Sequence, residues 1–226
     1  MHKLRPFLYS LLGIVCLSVL LWARPLNTIA AVRPSGGDIP MPRQCRPGKT
    51  STEALGWRWR PGVSVRVYYL KSNFSAAEME ALTRAVRSWN AALKEIDSQI
   101  VFRIGGERDS VAEDHASITV MRGIPRGRDR VGEIKHYALS NGVDYMLVII
   151  NPEITDPDAL TSLMTHEIGH SLGLADCYKC QRGTTAMAAF RDNNKGNDVY
   201  EPSECDKYVV AAGYASESAA HARRFD

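Results

Sequence analysis

Along the middle of the chain the spacing of apolar positions changes several times, and each change marks an element. Val63, Val65, Val67 and Tyr69 alternate with Ser64, Arg66 and Tyr68, the period that half-buries a strand. The spacing then lengthens: Met79, Leu82, Val86, Trp89, Leu93 and Ile96 fall three or four apart and form one stripe on a helix. Ser75-Ala76-Ala77-Glu78, just ahead, has the form of a capping box. The stripe covers fewer than three heptads, which predicts a long helix lying on a sheet, with Trp89 in the core, rather than a coiled-coil seam. Alternations at 99–104 and 117–121 predict two more strands, and 131–139 is a weaker candidate. Asn141-Gly142 predicts a tight turn into a nearly unbroken apolar run at 145–150, the pattern of a buried strand. Asp156-Pro157 opens a second helix that runs to about Leu172, with Leu160, Met164, Ile168 and Leu172 on its buried row. Residues 202–212 predict a C-terminal helix, and 214–226 a flexible tail.

Composition narrows the setting. The 226 residues are 45% apolar and 23% charged, enough for one sizeable core. The net charge is only +3, and the one dense basic cluster, 122–130, carries Gly, Pro and Asp and no aromatic residue. It reads as a solvated loop, so no nucleic-acid partner is expected. At the N-terminus, Lys3 and Arg5 precede an apolar run at 7–23, with small residues Ala30 and Ala31 beyond it. Residues 1–31 therefore read as an export signal peptide or an N-terminal membrane anchor, and either places the rest of the chain outside the cytoplasm. Residues 32–56, rich in Pro, Gly and Arg, read as a linker or short pro-like arm before the main domain. Apart from Cys16 in the apolar run, the cysteines are Cys45, Cys177, Cys180 and Cys205. An even count in an exported chain predicts disulfides pinning the loop after residue 176, with all three connectivities open. A metal site of four cysteines is not expected, because Cys177-x-x-Cys180 has no second pair of similar spacing.

The chemistry concentrates in Thr165-His166-Glu167-Ile168-Gly169-His170-Ser171-Leu172-Gly173-Leu174-Ala175-Asp176. Histidines four apart on a helix share a face, so His166 and His170 can reach one cation, Zn2+ being the one such a pair suits. Glu167 between them is the carboxylate that hydrolysis at such a cation needs as a general base. Zinc needs a third protein ligand. Gly173 lets the backbone leave the helix through a left-handed conformation and turn back, delivering Asp176. Glu201 and Glu204 are alternative third ligands of a gluzincin-type arrangement. A zinc-stabilised binding protein without turnover is a further alternative, against which Glu167 speaks.

His166-Glu167-x-x-His170-x-x-Gly173-x-x-Asp176 resembles the elongated zinc signature of the metzincin peptidases. The usual last ligand there is histidine, and aspartate is the variant of the snapalysin-like branch. The resemblance covers 57–213 and is closest to matrixin-like and snapalysin-like members. It implies an α+β fold with a mixed, mostly parallel twisted sheet, two long helices, the active-site helix ending at Gly173, and a C-terminal helix. It also implies a Met-turn at Met187, eleven residues past Asp176, forming a floor under the metal. The implied activity is that of a secreted or extracytoplasmic zinc endopeptidase, expected as a monomer acting on peptide or protein substrates. Two details depart from or loosen the pattern. No tyrosine stands two residues after Met187, so the extra tyrosine ligand of astacin-like members is absent. Pro42-Arg43-Gln44-Cys45-Arg46-Pro47 only faintly resembles the inhibitory cysteine segment of matrixin proenzymes. His115 and His136 lack the spacing of the second zinc site of matrixins and read as ordinary polar residues.

Overall fold

The computed structural model describes residues 40–55, 57–127, 130–139, 142–189 and 197–222. The N-terminal segment 1–31, the turn residue Asn141 and the centre of the basic loop at 128–129 lie outside them. Among the described residues five strands form one sheet: β1 (Ser64–Leu70), β2 (Val101–Arg108), β3 (Ser117–Arg122), β4 (Gly132–Leu139) and β5 (Gly142–Ile150). Their order is β2-β1-β3-β5-β4, with every neighbouring pair parallel except β4 and β5. The architecture is the α+β arrangement expected, with a mixed, mostly parallel sheet. β4, the weakest strand of the sequence pattern, pairs on one side only and is an edge of the sheet.

Helix α1 (Ala76–Glu95) begins with the capping box of Ser75 and Glu78, both halves of which are formed. Its apolar stripe is buried at Leu82, Val86, Trp89 and Leu93. Two hydrogen-bond anchors fix it in place. The Asn90 amide bonds both backbone groups of Phe102, at 2.8 and 2.9 Å, holding the helix to β2. The Trp89 indole donates to the Thr165 carbonyl of the next helix at 2.7 Å, so the largest buried side chain of α1 also has its polar atom satisfied.

Helix α2 (Pro157–Ser171) starts at Asp156, whose carboxylate accepts from the backbone N–H of Asp158 and Ala159. The pattern predicts one buried row, yet all but a few of its side chains are buried, including Thr161, Ser162, Thr165, His166 and Glu167. The reason is a second covering layer. Ser162, Thr165 and His166 bond the backbone of Asn197, Tyr200 and Ala186 in the C-terminal part of the chain. A helix carrying polar groups into a surround on every side is unusual, and those groups are where function is sought.

Two local differences from the sequence pattern have simple causes. Gly105-Gly106 does not end β2: a bulge opposite Val67 and Tyr68 lets the strand continue to Arg108. Helix α3 (Glu204–Ala222) runs through most of what composition marks as a flexible tail, because the Ala, Ser and Glu residues there are adequate helix formers. Among the described residues no helix is long and apolar enough to cross a membrane.

The cysteines pair as Cys45–Cys205, across 160 residues, and Cys177–Cys180. Cys45 therefore has no thiol to offer a metal. Replacing both Cys45 and Cys205 by serine removes a long cross-link and is expected to lower stability by about 2–5 kcal/mol. Denaturant titration checks this, and an unchanged midpoint would show that the bridge constrains little.

Candidate metal centre

The last turn of α2 closes with a glycine-terminated hydrogen-bond pattern. Leu174 N–H donates to the Gly169 carbonyl at 3.1 Å and Gly173 N–H to that of His170 at 2.9 Å. Gly173 has φ +88°, and a Cβ there would stand 2.6 Å from the Trp57 carbonyl oxygen. Both the left-handed conformation and the close backbone neighbour thus require glycine. Past this turn the chain doubles back and carries Asp176 over the end of the helix.

The two histidines are oriented from behind. His166 Nδ1 lies 2.8 Å from the Ala186 carbonyl and His170 Nδ1 2.8 Å from the Leu174 carbonyl. A carbonyl only accepts, so each Nδ1 bears the proton and each Nε2 presents a lone pair. Those Nε2 atoms lie 3.1 Å (His166) and 3.5 Å (His170) from one oxygen, Asp176 Oδ1. The other carboxylate oxygen, Oδ2, accepts from the Tyr178 hydroxyl at 3.0 Å. Among the described residues His166, His170 and Asp176 are the one His/Cys/Asp/Glu group of three or more whose ligand atoms converge, all within 4.8 Å of one another. Glu201 and Glu204 stand outside it, and Glu204 pairs with Lys207. His115 pairs with Asp144 and His136 stacks on Trp57, so neither approaches the group.

Three acceptors aimed at one point repel unless positive charge sits among them. A proton can be that charge. Burial opposes protonation of His170, but the Asp176 carboxylate and Glu167 overcome it and raise its pKa. Asp176, despite burial, is held far below the usual carboxylate range by His166 and His170. This donor set, two imidazole nitrogens and a carboxylate oxygen, each held by a hydrogen bond on its far side, fits a divalent zinc ion.

Glu167 sits beside this point, 3% exposed, and its Oε2 has no hydrogen-bond partner among the described residues. Room for the carboxylate comes from β4, since a Cβ on Gly132 would stand 2.6 Å from Oε1. Burial raises its pKa, with the charges of His170 and His166 working in the opposite direction. The cleft above the group has a volume of about 420 Å³, with Leu55, Trp57, Ile134 and Leu163 among its apolar walls and Arg130 on its rim. Below, the Met187 sulfur fills the space where a side chain at Gly169 would stand. The Met187 turn is itself braced by Asp206 of α3, fully buried, which bonds Thr185 and the Ala186 N–H. Asn197 donates to the Thr185 carbonyl at 2.6 Å from the other side.

Tyr178, Gly132, Asp206 and Asn197 go unmarked in the sequence reading. Only Tyr178, two residues past Asp176 and between paired cysteines, carries a signal that spacing offers. The others act on groups far away in the chain.

No protein-family model matches the chain, and no curated protein sequence does. Among solved structures, metalloproteinase-II from Bacteroides fragilis is 11% identical at a TM-score of 0.42, over 72% of this chain and 57% of that one. Myroilysin is 12% identical at a TM-score of 0.40, over 69% of this chain and 81% of that one. A chaperone–substrate complex is 14% identical at a TM-score of 0.39, over 73% of this chain and 36% of that one. The chain thus spans little more than half the length of the Bacteroides protein. At these scores the likenesses carry no functional argument, and the reading that follows rests on the geometry of the site.

The buried carboxylate makes a prediction that needs no turnover. With its pKa raised from the usual 4.5, Glu167 binds its proton more tightly in the folded chain than in the unfolded one. Stability of the metal-free protein should then fall as pH rises from the ordinary carboxylate range toward the raised value. Glu167→Gln removes this penalty. Thermal melts in chelator should place the variant above the wild type at pH 7–8 and level with it near pH 4; equal melting at both pH values would show that the carboxylate is not strained.

Proposed function

We propose that the chain is a zinc-dependent endopeptidase in which His166, His170 and Asp176 hold the metal and Glu167 is the general base. The observation that carries this reading is the convergence of those donors in a cleft beside a buried carboxylate, one oxygen of which has no hydrogen-bond partner among the described residues. A zinc ion bound there supplies Lewis acidity, polarising a substrate carbonyl and making water a stronger acid. The remaining work falls to groups of the chain. Glu167 takes a proton from the attacking water at its open oxygen and passes it to the amine that leaves when the peptide bond breaks. Burial suits it to both halves of that task, since a raised pKa brings its proton affinity closer to neutrality than that of a surface glutamate. Tyr178 commits one oxygen of Asp176 and so directs the other inward.

The substrate class follows from the edge strand. β4 pairs with β5 on one side only, and its N-terminal residues Gly132, Glu133 and Ile134 line the cleft. A peptide in extended form can lie along its outer edge and exchange main-chain hydrogen bonds as an added strand. Apolar walls at Leu55, Trp57, Ile134 and Leu163 accept an apolar side chain and exclude water. The relationship to metzincins of the snapalysin-like kind belongs to the same proposal, supported by the Gly173 turn and by Met187 lying against the histidine turn. An exported location does too, supported by two disulfides, which persist in oxidising compartments. A purely structural zinc site has no use for a buried carboxylate with one oxygen left without a hydrogen bond, which costs stability without helping to bind the ion's ligands.

Incubation with a mixed peptide pool should give cleavage that a chelator abolishes and zinc restores. Glu167→Ala should keep its zinc by elemental analysis while losing about 100-fold or more of the activity. Asp176→Ala should lose zinc affinity where Glu201→Ala and Glu204→Ala do not. Full cleavage by Glu167→Ala, or a folded wild-type chain that binds no metal, would sink the proposal.

A further inference from the structure

Of the three converging donors, Asp176 is the one not carried by a helix. It follows a glycine turn, and nothing in α2 itself fixes where its backbone goes. Residues 51–55, from the end of what the sequence marks as a linker or pro-like arm, and Trp57, the first residue of the main domain, meet this bend. Leu55 N–H donates to the Gly173 carbonyl at 2.5 Å, and Ala54 bridges Leu174 in antiparallel fashion. The Trp57 indole donates to the His170 carbonyl at 3.0 Å. The residue before Asp176 is held at both its backbone groups: Ala175 N–H donates to the Glu53 carbonyl at 2.8 Å, and the Ala175 carbonyl accepts from the Thr52 hydroxyl. Thr52 is 4% exposed and Ser51 fully buried, so this contact is shielded from water.

We propose that residues 51–55 and Trp57 are a permanent part of the metal site, not a removable arm, and that Thr52 is the positioning residue for Asp176. The inference rests on the metal-site reading above. The Ala175 carbonyl belongs to the peptide that leads into Asp176, so a hydroxyl gripping it limits the rotation that would swing the carboxylate away from the two imidazoles. Without the grip Asp176 spends part of its time elsewhere, and affinity falls in proportion to the competent fraction.

The test uses the full chain and the metal alone. Thr52→Val keeps the shape and removes the hydroxyl; Thr52→Ser keeps the hydroxyl. Zinc affinity by chelator competition should weaken about five- to tenfold in Thr52→Val. Thr52→Ser should restore it, and the absorption of bound Co2+ should change in the valine variant only. In an Asp176→Ala background, Thr52→Val should bring no further loss, because Thr52 acts through the group already removed. Wild-type affinity in Thr52→Val, or an equal loss in both backgrounds, overturns the positioning role. A wild-type chain that binds no zinc overturns the metal-site reading, and this inference with it.

Discussion

Everything in this fold that bears on chemistry follows from one unfavourable arrangement, two imidazole lone pairs and a carboxylate oxygen pointed at each other. Such a group ordinarily relaxes by rotating a ring or flipping a carboxylate. Here each escape is blocked from behind, by the Ala186 carbonyl, the Leu174 carbonyl and the Tyr178 hydroxyl. The repulsion is therefore kept, and positive charge relieves it. Holding donors in a geometry that is poor without its ion is what preorganisation of a metal site means physically.

The rest of the architecture is the cost of keeping those braces in place. Ala186 can orient His166 because Asp206 and Asn197 hold its turn, and Asp206, in the first turn of α3, is itself fixed by the Ser203 N–H. Leu174 can orient His170 because Gly173 allows the chain to double back at once. Glu167 has room to be buried because β4 presents bare backbone at Gly132. Helix α2, buried nearly all round, is thus the meeting point of elements from both halves of the sequence.

Much of this was legible in the residues. The period changes located the five described strands and helices α1 and α2, because burial against one face leaves a regular trace. The donor spacing at His166, His170 and Asp176 needed only helix geometry and one glycine. What stayed hidden has a common character. The Thr52 and Asp206 contacts are made to backbone groups far away in sequence, and such bonds impose no periodicity. The pairing of Cys45 with Cys205 was one of three open choices, since parity fixes a count and never a partner. The bulge at Gly105-Gly106 looked like a strand end because glycine punctuates both.

The cross-chain cystine between Cys45 and Cys205 has a bearing on how long such a molecule survives. Every backbone bond between these two positions lies inside a covalent ring. A single nick in any of the enclosed loops opens the ring without releasing a piece, and the two fragments stay tethered and packed on one shared core. Damage at one point is then survivable, and only a second cut frees a fragment.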